Sequence, residues 1–288
     1  MNNAIPETIN YHFISNCNMA CKFCFAEHRS SKKFTLDQHK AVIQALGEVK
    51  TCKPRRLNFV GGEPTVYPYL TELIHKAYLS GLRTSIVTNG FNIIKNGIPQ
   101  EFEYLDLIGV SIDSLDHNTN IKIGRSHNGV TISEADWQTL FYQIASMDIR
   151  LKINTTISQY NLLEDLSTFI FKANPLRWKV FQAIVIEGEN DLNQDDWKVN
   201  KKQFESFINR HRSNGLPLVT ENKSEMTGSY AMISPDGKFF DNVKGSYTYS
   251  DPILEVGVEE AWKQINFDLS KYQIRTSSYN REENHVSC

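Results

Sequence analysis

Long apolar runs are missing from this 288-residue chain. No stretch approaches the roughly 18 consecutive apolar residues that a membrane-spanning helix needs. The opening segment MNNAIPETIN lacks the basic, apolar and small-residue blocks of a secretion signal, so a cytoplasmic protein without membrane attachment is expected. Neither sign of charge dominates, since 31 Lys and Arg stand against 33 Asp and Glu. Without surplus cations a general nucleic-acid-binding surface is excluded, although a small anion held by a few placed cations is not. Cysteine is scarce, and its count of five is odd. That speaks against a disulfide framework and for a reducing compartment. Low-complexity tracts and short-period repeats are absent as well.

What is present is a regular alternation. INYHFIS (9–15), RLNFV (56–60), RTSIVT (83–88), LIGVSID (107–113), RLKINTTIS (150–158) and WKVFQAIVI (178–186) have the composition of strands buried on both faces. Helix candidates lie near 35–50, 68–80, 97–104, 133–147, 161–174 and 199–213, with Thr35 and Ser133 as N-caps. Strand–helix alternation of this kind predicts parallel strands joined by right-handed crossovers. The expected fold is α/β, a partial (β/α)6 TIM-like barrel over residues 10–215, preceded by a flexible segment 1–9; a doubly wound open sheet is the alternative. Residues 216–288 form a C-terminal extension, with a hairpin turning at Asp236-Gly237 and a mobile polar tail, SSYNREENHVSC.

Three of the five cysteines crowd into CNMACKFC, at Cys17, Cys21 and Cys24. They follow the first strand, at the end where parallel barrels carry their active sites. Three thiolates can serve three irons of a [4Fe–4S] cubane and leave the fourth iron open. Zinc completed by His12 or His28 is the competing reading, and three incidental thiols are another. Cys52 and Cys288 suggest no role. The second motif, NFVGGEPTVYP, puts Gly61, Gly62 and Glu63 at the end of the second strand. Glycines there allow close backbone approach, and Glu63 offers an acceptor for an amine.

A CxxxCxxC after strand one and a GGEP after strand two resemble the radical S-adenosylmethionine enzymes. That resemblance implies a [4Fe–4S] cluster, with S-adenosylmethionine as the ligand of its open iron. It also implies cofactor contacts from Phe23 (adenine), Gly61, Gly62 and Glu63 (methionyl amine), and Asn89 and Ser111 at later strand ends. A narrower resemblance lies in NYHFISNCNMACKFCF, SIDSLDHNTNIKIGR, LKINTTIS, RWKVFQAIVIEGEN and SYAMI. In order and spacing these stretches look like those of viperin and its prokaryotic and fungal relatives.

The viperin resemblance implies a nucleotide dehydratase. Its expected product is a 3′-deoxy-3′,4′-didehydro nucleoside triphosphate, a chain terminator suited to antiviral or antiphage defence. CTP is the expected substrate, UTP the next, with flavodoxin or ferredoxin as reductant and a monomer as the working form. A triphosphate needs several cations and oriented donors. Arg125, Lys152, Arg177 and Lys179 supply the charge, and Lys152 shares a strand face with Asn154 by two-residue alternation. Asn10 matches a family phosphate contact, and Tyr230 a tyrosine near the ribose that could position the sugar or donate a proton. Glu187 and Glu189 either order cations or end the strand. The membrane helix and the aromatic tail of animal viperins have no counterpart in this sequence, so neither membrane attachment nor the tail's assembly partner is carried over. A radical enzyme for a peptide or another small molecule, and a non-enzymatic iron–sulfur sensor, are the competing functions.

Overall fold

The structure, a computed structural model, describes residues 4–26, 28, 32–50, 54–212 and 215–283. Ten strands form one sheet: β1 (Thr8–Ile14), β2 (Arg56–Gly61), β3 (Arg83–Thr88), β4 (Leu107–Ser111), β5 (Arg150–Ile157), β6 (Arg177–Gln182), β7 (Leu218–Glu221), β8 (Ala231–Ile233), β9 (Lys238–Asp241) and β10 (Thr248–Pro252). Their order is β10-β9-β8-β1-β2-β3-β4-β5-β6-β7. Neighbours from β1 to β7 are parallel, as the alternation predicts.

Helix caps explain why the crossovers begin where they do. Thr35 accepts from the Gln38 amide while Gln38 reaches back, and Ser133 and Asp136 form the same reciprocal box. The helix Leu36–Glu48 then buries Val42, Ile43 and Leu46 against Ile9, Tyr11 and Phe13 of β1. Alternation turns Asn10 and His12 to the opposite, inner face.

Register extends that inner face across the sheet, because opposed residues on neighbouring strands share a side. Asn10 is opposite Asn58, and Asn58 opposite Ser85. Two residues on from Ser85, Val87 opposes Gly109, which opposes Lys152, which opposes Arg177. Gly109 leaves room for the Lys152 side chain, whose Cε would lie 2.8 Å from a Cβ there.

The C-terminal region departs from the sequence reading in detail. LVTE forms a seventh parallel strand that its short, mixed composition concealed. The predicted hairpin exists as β8 and β9, yet β8 also pairs parallel with β1 and so joins the main sheet. Of the polar tail, residues 277–283 continue the helix Leu269–Glu283, and 284–288 lie outside the described residues. Cys52 and Cys288 lie outside the described residues. Among the described residues no helix is long and apolar enough to cross a membrane.

Candidate active site

The cysteine loop leaves β1 and is held by backbone contacts on two sides. Ala20 and Lys22 donate to the carbonyls of Gly124 and Ile123 at 3.1 and 2.9 Å. Gly62 and Glu63 donate to the carbonyls of Ile14 and Asn16 at 2.6 and 2.8 Å. The glycines permit this crossing: a Cβ on Gly62 would meet the Asn16 oxygen at 2.1 Å, and one on Gly124 the Ala20 oxygen at 2.1 Å. Gly61 and Gly62 therefore let the chain approach itself, a use distinct from the ligand approach read from the sequence. Gly124 also has φ 89°, a conformation strained for other residues. Gly124→Ala is accordingly expected to lose most of its iron and sulfide after reconstitution while keeping its helical circular dichroism. Wild-type iron content in that variant would refute the pinning role.

None of the three cysteines is in a disulfide. Cys17 Sγ lies 3.4 Å from the Met19 amide and 3.9 Å from Asn89 Nδ2, donors that favour a thiolate. Burial pushes the Cys17 thiol up to about 11 and raises Cys21 also, with Arg125 opposing both. Binding iron would release these protons. Among the described residues no three His, Cys, Asp or Glu side chains converge on a single ion. His12 and His28 instead pack their rings against each other and against Phe240. Those two rings are thus engaged with each other and with Phe240, and three soft thiols around one loop suit separate irons of a cluster.

Glu63 is buried beside the loop with both oxygens engaged. Oε1 accepts from the Thr65 amide, the Thr65 hydroxyl and the Thr88 hydroxyl at 3.0, 2.6 and 2.6 Å, and Oε2 accepts from the Asn89 amide at 2.7 Å. Burial raises its pKa and these donors oppose the rise. Asn89 Nδ2 reaches Asn18 Oδ1 at 2.7 Å, so β2 and β3 brace the cysteine loop from below. Ser111 opposes Asn154 on the inner face. Phe23 packs with Ile123, Ala183 and Trp197.

Arg125 is not placed with the strand cations. It forms a buried ion pair with Asp113, and its electrostatic neighbours include Cys21 and Cys17. Burial acts to lower its pKa, but Asp113 and the thiols more than reverse this. Lys152, Arg177 and Lys179 do gather on the inner face. Burial drives Lys152 well below the usual lysine range, with Lys179, Arg177 and Arg56 adding repulsion. Asn10 accepts from Asn58 Nδ2 at 2.8 Å in the same row. Asn154 Oδ1 is buried without a partner among the described residues.

Tyr230 joins this group through residues the sequence reading missed. Lys179 Nζ donates to the Tyr230 hydroxyl at 2.9 Å and pairs with Glu221 at 2.7 Å. The Tyr230 hydroxyl donates to Glu221, and Arg275 lies 3.9 Å over the Tyr230 ring and 3.4 Å from Glu221. Burial pushes Lys179 down to about 7 even though Glu221 pulls it up. Burial also works to raise Glu221, but Lys179 and Arg275 hold it at about 2. Lys179 is thus depressed chiefly by burial, and Glu221 by the cations beside it. Glu189 accepts from the His28 amide at 2.9 Å, so it serves the loop after Cys24.

Such an arrangement combines a thiol loop at the strand ends with a cationic inner wall. A family model described as "Radical SAM superfamily" matches residues 11–156. An "S-adenosylmethionine-dependent nucleotide dehydratase" of Flammeovirga pacifica is 41% identical, over 96% of this chain and 97% of the relative. The "S-adenosylmethionine-dependent nucleotide dehydratase RSAD2" of Oncorhynchus mykiss is 35% identical, over 96% of this chain and 81% of the relative. In fold, the chain is similar to Streptococcus suis SuiB bound to S-adenosylmethionine, with a TM-score of 0.61 at 15% identity over 94% of this chain and 68% of that one.

Proposed function

Because the chain belongs to the S-adenosylmethionine-dependent nucleotide dehydratases of the radical SAM superfamily, we propose that it dehydrates a nucleoside triphosphate bound along its cationic inner wall. The carrying observation is the gathering of Lys152, Arg177 and Lys179 on one inner face, where Arg177 and Lys179 are buried and the cations repel Lys152, an arrangement that a polyanion would relieve. Cys17, Cys21 and Cys24 would hold the [4Fe–4S] cluster. Held there, the cluster would supply one-electron reduction of S-adenosylmethionine, with methionine leaving and the 5′-deoxyadenosyl group as hydrogen acceptor.

The chain's own residues would do the rest. Glu63, its oxygens fixed by Thr65, Thr88 and Asn89, is suited to receive the methionyl amine with Gly61 and Gly62 at its side. Arg125, close to the thiols, suits the methionyl carboxylate better than the triphosphate assigned to it from sequence. Phe23, Asn89 and Ser111 would contact the rest of the cofactor. Asn10, Asn154, Lys152, Arg177 and Lys179 would bind the phosphates and ribose, Asn154 Oδ1 accepting from a hydroxyl.

In the proposed reaction the ribose loses its 4′-hydrogen atom to the adenosyl group. The 3′-hydroxyl then departs as water on gaining a proton, and a second electron completes the 3′,4′ double bond. Tyr230 would give that proton, and Lys179, which donates a hydrogen bond to its hydroxyl, would return one. The substrate preferred is CTP, then UTP, and the product a chain terminator in antiphage defence; a flavodoxin or ferredoxin supplies electrons to a cytoplasmic monomer.

Anaerobic reconstitution followed by dithionite, S-adenosylmethionine and each of CTP, UTP, GTP and ATP tests this. One nucleotide should yield both 5′-deoxyadenosine and a product lighter by one water. Cofactor cleavage with every nucleotide intact would sink the substrate assignment. Tyr230→Phe should lower dehydrated product by about 10²–10⁴-fold, the usual worth of a proton donor, while 5′-deoxyadenosine still forms. Unchanged product would remove Tyr230 from the chemistry.

A further inference from the structure

Tyr230 and Lys179 come from opposite flanks of the sheet. In the strand order β6 and β7 end one side, whereas β8, which Tyr230 directly precedes, stands beyond β1 on the other. Yet Lys179 Nζ of β6 lies 2.9 Å from the Tyr230 hydroxyl. The sheet has curled until these two flanks meet across an open seam. Among the described residues β7 pairs with β6 alone, so no ladder of backbone hydrogen bonds crosses that seam. Side chains must fix the distance from the tyrosine to the lysine.

Arg275 spans the seam. Its Nη1 lies 3.4 Å from Glu221 Oε1 on β7, and its Nη2 donates at 2.8 Å to the carbonyl of Ser229, the residue before Tyr230. Between those two bonds the guanidinium carbon stands 3.9 Å from the centre of the Tyr230 ring. A planar fork can bond along its edges while its face covers an aromatic ring, which a lysine cannot do. With its side chain 7% exposed, Arg275 is not a solvated surface charge. The helix Leu269–Glu283 that carries it is tied to both flanks of β8. Asp268 donates its amide to the Gly228 carbonyl at 2.8 Å, and the Thr8 amide at the start of β1 donates to the Tyr272 hydroxyl at 3.3 Å. Tyr272 and Arg275 are three residues apart, hence on one helix face.

We infer that Arg275 is a positioning residue for the proton donor: it holds the Tyr230 ring across the seam beside Lys179, a role that rests on the dehydratase reading above. In the step it serves, the O–H bond of Tyr230 breaks and its proton joins the departing 3′-hydroxyl, which leaves as water. A proton from the Lys179 ammonium then restores the phenol. Arg275 exchanges no proton, because a guanidinium stays charged throughout. Its cation over the ring attracts the phenolate more strongly than the phenol, so it favours the donor's charged state as well as its place. Place alone matters, since a reacting group shifted by about 1 Å can lose about 10²-fold in rate.

A double-mutant cycle on the reconstituted enzyme tests this, read as dehydrated nucleotide formed per 5′-deoxyadenosine. Arg275→Ala should lower that ratio by about 10- to 100-fold, while its calorimetric affinity for inorganic tripolyphosphate stays at the wild-type value. Arg275→Lys keeps the charge and a partner for Glu221, so it should fold and give an intermediate ratio. Added guanidinium ion should restore part of the ratio in Arg275→Ala, and ammonium should not. In a Tyr230→Phe background Arg275→Ala should cost nothing further, because a residue that acts through the hydroxyl has nothing left to lose there. Additive losses in the cycle, a wild-type ratio in Arg275→Ala, or weakened tripolyphosphate binding would each overturn the positioning role and leave the dehydratase reading standing. A wild-type enzyme that dehydrates none of the four nucleotides would overturn that reading, and this role with it.

Discussion

Glu221→Gln is expected to destabilise the folded protein by about 3–5 kcal/mol, the usual cost of removing one partner from a buried ion pair. Glu221 is 1% exposed and faces Lys179, Arg275 and the Tyr230 hydroxyl at once. Glutamine keeps the shape but leaves two buried cations without their carboxylate. Urea unfolding followed by tryptophan fluorescence measures the loss. The pH dependence identifies its cause. The folded carboxyl sits at about 2 against an ordinary 4.5, so its contribution is complete above about 4.5 and disappears as pH falls toward 2. The gap between wild type and variant should therefore close over that window. A gap unchanged between pH 5 and pH 2.5, on an order-of-magnitude scale, would mean packing rather than charge is responsible.

Glu221 also illustrates where the sequence stops being legible. The six long strands could be read because β-branched runs buried on both faces repeat with capped helices between them. The three cysteines could be read because their spacing is local, and GGEP because its glycines stand together. LVTE is only four residues with one apolar pair, too little periodicity to announce a strand. Arg275 lies in a polar segment whose helix is anchored by tertiary contacts: Asp268 donates its amide to the Gly228 carbonyl, and Arg275 donates to the Ser229 carbonyl. Such contacts leave no local signature. Arg125 shows the reverse problem. Its charge was evident, but only the fold reveals that Asp113 and the thiol loop, rather than the strand cations, surround it.

The crowding of cations leads to the second large effect, a steep loss of nucleotide affinity in alkali. Lys179 lies at about 7 in the free protein, since burial and the cations Arg275 and Arg177 outweigh the help of Glu221. A bound triphosphate would add negative charge beside it and raise that value, so the charged lysine is favoured in the complex. Below pH 7 Lys179 already holds its proton and adds no slope of its own. Above it, each binding event must take up a proton, and the dissociation constant should approach a tenfold rise per pH unit, about 50-fold from pH 7 to 9. The ligand adds no opposing step there, because phosphate has its second pKa near about 6. Calorimetry on cluster-loaded protein without reductant, in two buffers of different ionisation heat, measures both the slope and the proton taken up. Lys179→Arg stays charged throughout this range and should flatten the profile by about one proton's worth. A flat wild-type profile with no proton uptake would mean that Lys179 does not meet the phosphates, and that the inner wall binds its anion through Arg177 and Lys152 alone.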